Sequence, residues 1–310
     1  MAIPSILQRG LSLPVIAAPM FLVSGPELVK AACRAGVIGT FPSLNARPLE
    51  ALDQWMADIK AESDSGDAAP WGVNLIVHPT NTRLKDDLDL VLEHQPPLVI
   101  TSVGHPGDIA EKVHGYGGVV FHDVIHMKHA YKAAEAGVDG IIAVCAGAGG
   151  HAGLMNPFTF IPQLKDAFDK TIILAGTLSD GRAVRAAEVL GADFSYMGTR
   201  FIATRESAAD QAYRQMIEQD GSADIVYTDK VSGIRGNFLK RSLEQAGLDP
   251  ETGQPLKDKP SFGEENARGG GSKAAWKEVW SAGQGVGQIT DSPSVADLVA
   301  RLKADYDAAR

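Results

Sequence analysis

The sequence has few of the features that mark secreted or nucleic-acid-binding proteins. Only two cysteines, Cys33 and Cys145, occur in 310 residues, and both lie in apolar surroundings. This scarcity argues against a disulfide framework and against a zinc site. The 38 acidic residues outnumber the 29 basic ones, and no basic block is longer than a pair. We therefore expect no nucleic-acid partner.

Long apolar segments are also missing. No run reaches the roughly 18 consecutive apolar residues that indicate a membrane span. The opening residues, MAIPSILQRG, lack the charged start and apolar run of a signal peptide. These two absences predict a cytoplasmic protein that does not contact a membrane.

What the sequence does contain is a regular alternation of short β-branched runs with segments of helical period, which is typical of a parallel sheet. Eight such runs occur between residues 14 and 205, and eight parallel strands close a barrel. We therefore predict an α/β fold of the (β/α)8 TIM-barrel type, with a doubly wound open sheet as the alternative. The predicted strands are Pro14–Met20, Val37–Ser43, Gly72–Val77, Leu98–Gly104, Val119–Val124, Gly140–Ala146, Thr171–Thr177 and Phe194–Arg200.

Helical spacing of apolar residues predicts several of the intervening helices. Gly36, Gly137 and Gly191 follow three of them as left-handed caps. The predicted helices are Pro26–Ala35, Pro48–Glu62, Asn81–Glu93, Lys128–Ala136, Arg182–Leu190 and a final Val295–Ala309 on the barrel's outside.

The pattern changes after the eighth run. Residues 221–275 are polar and contain Pro250, Pro255, Pro260 and the cluster Gly269–Gly271. We predict a barrel of residues 1–220 that is completed by residues 276–310. Residues 221–275 would form a smaller C-terminal insertion or a lid over the active site.

Two glycine-containing pairs mark the expected functional face. In a parallel barrel the active site lies at the carboxyl ends of the strands. Gly176-Thr177 follows the seventh predicted strand and Gly198-Thr199 follows the eighth, each just before a helix. Main-chain N–H groups at such positions commonly bind a phosphate. A turn that simply favours glycine is the alternative for either pair taken alone.

Other strand ends carry small or polar residues. The first strand ends in Ala18, Pro19 and Met20, where a planar ring could lie against the backbone, although core packing would explain these residues equally well. Asn74 is an amide within an apolar run, and a buried amide needs hydrogen-bond partners. It would serve a bound planar ring or tie two loops together.

His151 is the strongest candidate for acid–base chemistry. It lies in a small-residue loop, Gly147–Gly153, that we expect to be flexible. An imidazole titrates near neutrality, so it can remove a proton from a carbon beside an electron-withdrawing group or hold an anion. A solvated histidine without a function is the alternative, but the flanking glycines at the barrel rim favour a functional one.

Two other candidates are weaker. Cys145 follows the sixth strand, as a nucleophilic cysteine would, but its apolar run suggests a buried thiol. The group His122, Asp123, His126 and His129 suggests a metal site. His122 and Asp123 are neighbours on a strand and point to opposite sides, so we predict no metal.

Three separated motifs now resemble one family. The segments Gly147–Gly153, Met197–Glu206 and Trp280–Gly287, in this order, look like signatures of the nitronate monooxygenases, formerly called 2-nitropropane dioxygenases. With the weaker Pro14–Met20 strand, the resemblance extends from residue 14 to residue 287. It implies an FMN-dependent barrel that uses O2 to oxidise an alkyl nitronate to a carbonyl compound and nitrite.

The resemblance also implies roles for individual residues. His151 matches the family's catalytic histidine, which would deprotonate a nitroalkane or position the nitronate. We assign Ser102, in the fourth predicted strand, and Gln284, in the third motif, to substrate binding. The implied FMN-binding residues are Ala18, Pro19, Met20, Asn74, Asp123, Gly149, Gly176, Thr177, Gly198 and Thr199.

Two positions depart from the family pattern, and the reaction stays open. Relatives often have Lys or Gln where this chain has Asp123, and many have Gly-Gly where it has Gly176-Thr177. An anion at Asp123 would disfavour a negatively charged flavin. An NAD(P)H-dependent FMN reductase of a quinone or an enoyl thioester is the alternative function, and a flavin-storing barrel without turnover is a third. A homodimer would fit the commonest symmetry of soluble enzymes.

Overall fold

The computed structural model describes residues 3–64, 66–231, 233–252, 254 and 279–309. Eight parallel strands form a closed barrel, which confirms the predicted fold and excludes the open sheet. In barrel order these strands are β1 (Val15–Ala17), β2 (Ile38–Pro42), β3 (Trp71–Ile76), β4 (Leu98–Ser102), β5 (Val119–Val124), β6 (Gly140–Val144), β8 (Thr171–Ala175) and β9 (Phe194–Met197). Hydrogen bonding between β9 and β1 closes the ring.

Alternating side chains divide each barrel strand into an inner and an outer face. The inner faces form one apolar cluster that includes Ile16, Ile38, Ile100, Phe121 and Phe194. Leu7, on a short 3-10 helix, joins this cluster from the amino-terminal end of the barrel. Because the interior is filled with side chains, the space for a ligand lies at the carboxyl ends of the strands.

The helices cover the outer face of the barrel. Their bounds are α1 (Pro26–Arg34), α2 (Leu49–Asp64), α3 (Leu84–His94), α4 (Ile109–His114), α5 (Met127–Glu135), α6 (Pro157–Ala167), α7 (Gly181–Leu190), α8 (Thr199–Ile202), α9 (Gln211–Gln219), α10 (Lys240–Gln245) and the C-terminal helix Val295–Ala308. The predicted caps Gly36, Gly137 and Gly191 have φ values of +86°, +82° and +106°. Only glycine adopts this region readily, so these residues end their helices as expected.

The C-terminal helix packs on the outside of the barrel, as predicted. Its buried residues Leu298, Val299 and Leu302 share an apolar cluster with α1 and α7. Gly181 lies so close to it that an added Cβ would stand 2.0 Å from the Leu302 carbonyl oxygen. No helix in the described ranges is long and apolar enough to cross a membrane.

The region after residue 220 contains regular structure that the sequence pattern did not reveal. Strands β10 (Ile225–Thr228) and β11 (Gly236–Leu239) form an antiparallel hairpin, and α10 follows it. The hairpin pairs with a two-residue strand β7 (Gly150–His151) in the loop after β6. Pro255, Pro260 and Gly269–Gly271 lie outside the described residues, so the predicted division of the chain stays a prediction.

Candidate active site

Four polar side chains form the innermost layer at the mouth of the barrel. Residues two apart on a strand share a face. Ser102, Asp123 and Tyr196 each lie two residues after an inner apolar residue, which is Ile100, Phe121 or Phe194, so they also face inward. Asn74 on β3 donates hydrogen bonds from Nδ2 to the Ser102 hydroxyl oxygen at 2.7 Å and to the Ile100 carbonyl at 3.2 Å. Polar residues therefore replace the apolar core at the level where a ligand can reach.

Asp123 is the acid of this layer. Its carboxylate accepts a hydrogen bond from the Ser102 side chain and another from the Val103 N–H. Burial raises the pKa of Asp123 to about 6, and these two hydrogen bonds together with the charge of His151 oppose the rise. Near neutrality the carboxyl is therefore less fully ionised than an ordinary aspartate. The average negative charge that Asp123 would place beside a flavin is therefore smaller than that of an ordinary aspartate.

The backbone that holds Asp123 is unusual. Val103 has a φ of +60°, a left-handed conformation that a β-branched residue rarely adopts. Gly104 follows with a φ of +152°. Backbone outliers of this kind persist only where the surrounding structure holds them, and they cluster at functional sites.

His151 lies on β7, where it is held by the hairpin. Gly236 is its register partner on β11, and the Asn237 side chain donates a 2.6 Å hydrogen bond to the Ala148 carbonyl. On the other side, the Tyr227 hydroxyl donates to the Ala152 carbonyl at 3.0 Å. The predicted small-residue loop thus includes a short strand, in which Gly150 and His151 pair with a hairpin far along the chain.

The protonation state of His151 depends on two opposing influences. Surrounding atoms displace water from the imidazole and lower its pKa, although part of the side chain is exposed. The Asp123 carboxylate acts in the opposite direction and raises it. The net shift is downward, so at neutral pH the ring is predominantly a neutral base.

The residues that we expected to bind a phosphate lie at the ends of β8 and β9. Gly176 has a φ of +131° and Thr177 of +58°, so the chain turns sharply after β8. In the described part of the chain, the main-chain N–H groups of Gly176, Thr177, Gly198 and Thr199 donate no hydrogen bond. The Thr199 hydroxyl accepts one from the Gly283 N–H at 2.9 Å, which leaves its own proton available.

The three sequence motifs meet at this mouth. The Gln284 N–H donates to the Gly147 carbonyl at 2.9 Å, and a Cβ on Gly147 would stand 2.9 Å from the Gln284 Oε1 atom. A Cβ on Gly149 would stand 2.8 Å from the nitrogen of Gly283. Glycine is required at position 149 because two backbones pass each other there.

The end of β1 completes the mouth. Gly198 faces it, since a Cβ on Gly198 would lie 3.6 Å from the Met20 sulfur and 3.8 Å from the Ala18 Cβ. The Met20 N–H donates to the Ser24 hydroxyl, and Asn45 donates to the Met20 carbonyl at 2.9 Å. These bonds fix the Ala18–Pro19–Met20 turn beside the β9 end.

The weaker candidates lie elsewhere. His122 points out of the barrel and bonds Thr101 Oγ1 through Nδ1 at 2.8 Å. Cys145 is buried, and desolvation raises the pKa of its thiol to about 12, so it does not form a thiolate readily. Within the described residues, no group of three or more His, Cys, Asp or Glu side chains is placed to hold a metal ion.

Sequence reasoning missed three residues of the site: Tyr196, Val103 and Asn237. Strand alternation could have placed Tyr196 inside the barrel, since it lies two residues before Gly198 and two after the inner Phe194. The strained Val103 and the brace from Asn237 have no local sequence signal. Asn237 reaches the site only through tertiary pairing of the hairpin.

Comparison with known proteins identifies relatives that include a nitronate monooxygenase. A nitronate monooxygenase from Paraburkholderia phytofirmans is 26% identical over 96% of this chain and 93% of its own length. A (3aS,4S,5R,7aS)-5-hydroxy-7a-methyl-1-oxo-octahydro-1H-indene-4-carboxyl-CoA dehydrogenase from Rhodococcus jostii is 29% identical over 77% of this chain and 67% of its own.

Solved structures show the same fold. Nitroalkane oxidase from Streptomyces ansochromogenes matches with a TM-score of 0.79 and 22% identity, and the match covers 99% of both chains. FabK from Thermotoga maritima matches with a TM-score of 0.78 and 23% identity over 98% of this chain and 94% of that one. The model of the nitronate monooxygenase family matches residues 79–305, which is more than half of the sequence. The chain therefore belongs to the nitronate monooxygenase family, and it is a flavin-dependent oxidoreductase.

Proposed function

We propose that this enzyme binds FMN at the barrel mouth and oxidises alkyl nitronates with O2 to a carbonyl compound and nitrite. The observation that carries the proposal is the position of His151, which interacts electrostatically with Asp123 at the barrel mouth. Within the described residues, the main-chain N–H groups of Gly176, Thr177, Gly198 and Thr199 at this mouth donate no hydrogen bond. A base and a phosphate-binding surface thus share one opening. Nitronates are anions. A nitronate, or a nitroalkane with an acidic carbon, would reach His151 through the same opening.

The residues at β8 and β9 fit a phosphate group. The main-chain N–H groups of Gly176, Thr177, Gly198 and Thr199, with the Thr199 hydroxyl, form a set of neutral donors at strand ends. A Cβ on Gly198 would make only ordinary contacts with the protein, so packing within the chain does not explain the glycine there. Space reserved for a ligand does explain it.

The inner layer fits a flat ring with polar edges. Asn74 already donates from Nδ2 to two protein acceptors, so its Oδ1 atom is the group that it offers to an N–H of the ring. We assign Ala18, Pro19, Met20 and Gly149 to the ring's surroundings. Gln284 and Ser102 were assigned to the substrate, and we now assign Ser102 to holding Asp123, because its hydroxyl is engaged there.

The residues of this chain would perform the remaining chemistry. When bound, FMN supplies the acceptor for the substrate's electrons and passes them to oxygen. His151 removes the α-proton of a neutral nitroalkane, or it holds the nitronate in place once that proton has left. The hairpin β10–β11, which pairs with β7, would act as part of a lid that keeps His151 aligned.

A second function has a specific observation in its favour. The Rhodococcus jostii protein, which is named as the dehydrogenase of a carboxyl-CoA compound, is 29% identical to this chain, whereas the Paraburkholderia phytofirmans nitronate monooxygenase is 26% identical. An NAD(P)H-dependent reductase of a quinone or an enoyl thioester would use the same mouth. In that case His151 would donate a proton to the substrate instead of removing one.

Anaerobic mixing distinguishes the two functions. The purified protein should carry a yellow flavin that is released as FMN on denaturation. Propionate 3-nitronate should bleach this flavin without oxygen, and nitrite should appear when air is admitted. Bleaching by NADH together with no reaction of the nitronate would replace the oxygenase proposal by the reductase. A colourless protein that FMN does not reconstitute would refute both.

A further inference from the structure

We propose that four exposed apolar side chains beside His151, those of Ile125, Leu154, Phe158 and Ile234, form an apolar ledge that binds the apolar tail of the substrate. The enzyme therefore selects substrates whose reacting carbon carries a long apolar chain over small polar ones. The inference rests on the proposed function for the reacting group, whereas the ledge binds the tail independently of the reaction.

Exposed apolar side chains are concentrated at the barrel mouth. In the described ranges nine large apolar side chains are exposed, and six of them lie in loops, at a helix start or in the hairpin at this end of the barrel. Four of the six form the apolar ledge. Phe21 and Leu22 follow β1, which is four strands away from β5 in the ring of eight, so they lie on the opposite side of the mouth. Single exposed apolar residues are ordinary, whereas a group of them marks a binding surface.

Two contacts fix the centre of the ledge. A Cβ on Gly153 would stand 2.9 Å from the Cβ atom of Ile125, so the loop after β5 packs directly against the residue that precedes Leu154. The Ala146 N–H donates to the Met155 carbonyl at 2.9 Å, which ties the residue after Leu154 to the end of β6. Ile125 and Leu154 are therefore neighbours on a backbone that is held on both sides.

The ends of the ledge are held as well. The Asn156 side chain accepts a 2.9 Å hydrogen bond from the Phe158 N–H and caps α6. The Ala152 N–H donates to the Arg235 carbonyl at 3.3 Å, and this bond brings the preceding residue, Ile234, to the same loop. A surface whose backbone is already ordered loses little entropy when a ligand binds to it.

The polarity of the mouth changes from its base to its rim. The four polar side chains of the inner layer form the base. On the rim, residues 152–164 contain no charged side chain, although 22% of the whole chain is charged. A substrate with a polar reacting group at one end and an apolar tail at the other matches this gradient, because the tail covers the ledge when the polar group reaches His151.

Calorimetric titration of the flavoprotein with propanoate and octanoate tests the ledge without turnover. A carboxylate resembles a nitronate in shape and charge but does not react. A fully buried methylene gains about fourfold in affinity and the ledge covers about half of the tail, so octanoate should bind about thirtyfold more tightly than propanoate. Equal affinities, or no binding of octanoate, would overturn the proposal.

Substitutions on the ledge locate this gain. Leu154 and Phe158 are 67% and 72% exposed, so Leu154→Ser and Phe158→Ser remove apolar surface without opening the core. Each should lower the octanoate affinity by about threefold or more and leave the propanoate affinity nearly unchanged. Val189→Ser removes a side chain that is 80% exposed near the carboxyl end of α7, and it should change neither affinity. A preference for octanoate that is unaltered in both ledge variants would overturn the proposal.

Turnover tests the ledge and the proposed function separately. In the wild type and in Val189→Ser, kcat/KM should rise from nitroethane to nitrohexane, and it should rise less in the two ledge variants. Wild-type protein that oxidises neither nitroalkane, but binds octanoate through Leu154 and Phe158, would refute the proposed function and support the ledge.

Two further measurements test other occupants of this surface. A dimer that Phe158→Ser dissociates, measured by sedimentation, would assign the ledge to contact with a second copy of the chain. Flotation of the wild type, but not of Phe158→Ser, with phosphatidylcholine vesicles would assign it to a lipid surface. Either result would overturn the binding of a substrate tail, so we expect both proteins to have the same oligomeric state and neither to float.

Discussion

Two neighbouring residues of β5, His122 and Asp123, lie on opposite faces of the barrel wall, and burial shifts the pKa of each. His122 faces outward, and burial lowers its pKa to about 4. Asp123 faces the barrel mouth, and burial raises its pKa to about 6. In both cases the environment disfavours the charged form, so each shift has the same physical cause with the opposite sign.

The difference between them lies in what surrounds each group. His122 bonds the Thr101 hydroxyl on the neighbouring strand β4, on the outer face of the barrel. Asp123 interacts electrostatically with His151 on another element, at the mouth where four main-chain N–H groups donate no hydrogen bond within the described ranges. A perturbed pKa therefore does not identify a functional residue by itself. A second titratable group and the position at the barrel mouth distinguish Asp123 as the candidate functional residue.

The largest effect should come from replacing His151, the proposed base at the barrel mouth. We expect His151→Asn to lower kcat/KM for a neutral nitroalkane by about 10²–10⁴-fold, which is the usual contribution of a positioned general base. The matched variant His129→Asn removes an exposed histidine on the outer side and should retain full activity. Flavin absorbance checks that both variants keep the cofactor. Equal losses in the two variants would remove the distinction between the inner and outer faces.

A smaller effect should follow from loosening the strand that holds His151. Asn237→Ala deletes the 2.6 Å bond to the Ala148 carbonyl and leaves a buried acceptor unpaired, which costs about 1–3 kcal/mol in stability. We expect kcat/KM for a nitroalkane to fall about tenfold. The comparison is Asn156→Ala, which deletes the cap of α6 and costs about 1 kcal/mol away from the hairpin.

These two variants separate alignment from stability. If thermal unfolding midpoints fall in both but turnover falls only in Asn237→Ala, the hairpin aligns His151. If turnover falls equally in both, the loss reflects stability, and the hairpin has no special role in catalysis.

The barrel was accessible from sequence because each strand and cap has a local cause. The conformational preferences of β-branched pairs such as Ile172-Ile173 and of glycines such as Gly191 follow from their own residue types. Position within the barrel then follows from the carboxyl-end rule, which placed His151 and Gly198 at the same mouth. The helix α6 was not predicted, because Pro157 and Pro162 interrupt the helical spacing of its apolar residues.

The arrangement inside the mouth was not accessible in the same way. The hydrogen bonds of the loop at Gly147–Gly153 could not be predicted, because its partners Tyr227 and Asn237 lie about 80 residues later in the chain. The ionisation of Asp123 depends on burial and on Ser102 and Val103, which no single-residue pattern encodes. Local sequence reports backbone preference, whereas pairing and desolvation are properties of the assembled fold.

The smallest effect should appear on the outer face, as a change in the pH dependence of stability. The folded pKa of His122 is depressed from 6.5 to about 4, so the unfolded chain binds the proton more readily. The stability that His122 contributes is complete above pH 6.5 and is lost as the pH falls towards 4. Between pH 7 and 5.5 this loss is about 1 kcal/mol.

His122→Gln should remove that dependence while it leaves nitroalkane turnover at pH 7 nearly unchanged. Urea unfolding at pH 7 and at pH 5.5 measures it, and the variant should lose about 1 kcal/mol less than the wild type over this interval. Asp123 titrates in both proteins with the opposite sign, so the difference between them isolates His122. An identical loss in both proteins would mean that His122 takes up its proton in the folded state, and the contrast between the two faces of β5 would then rest on Asp123 alone.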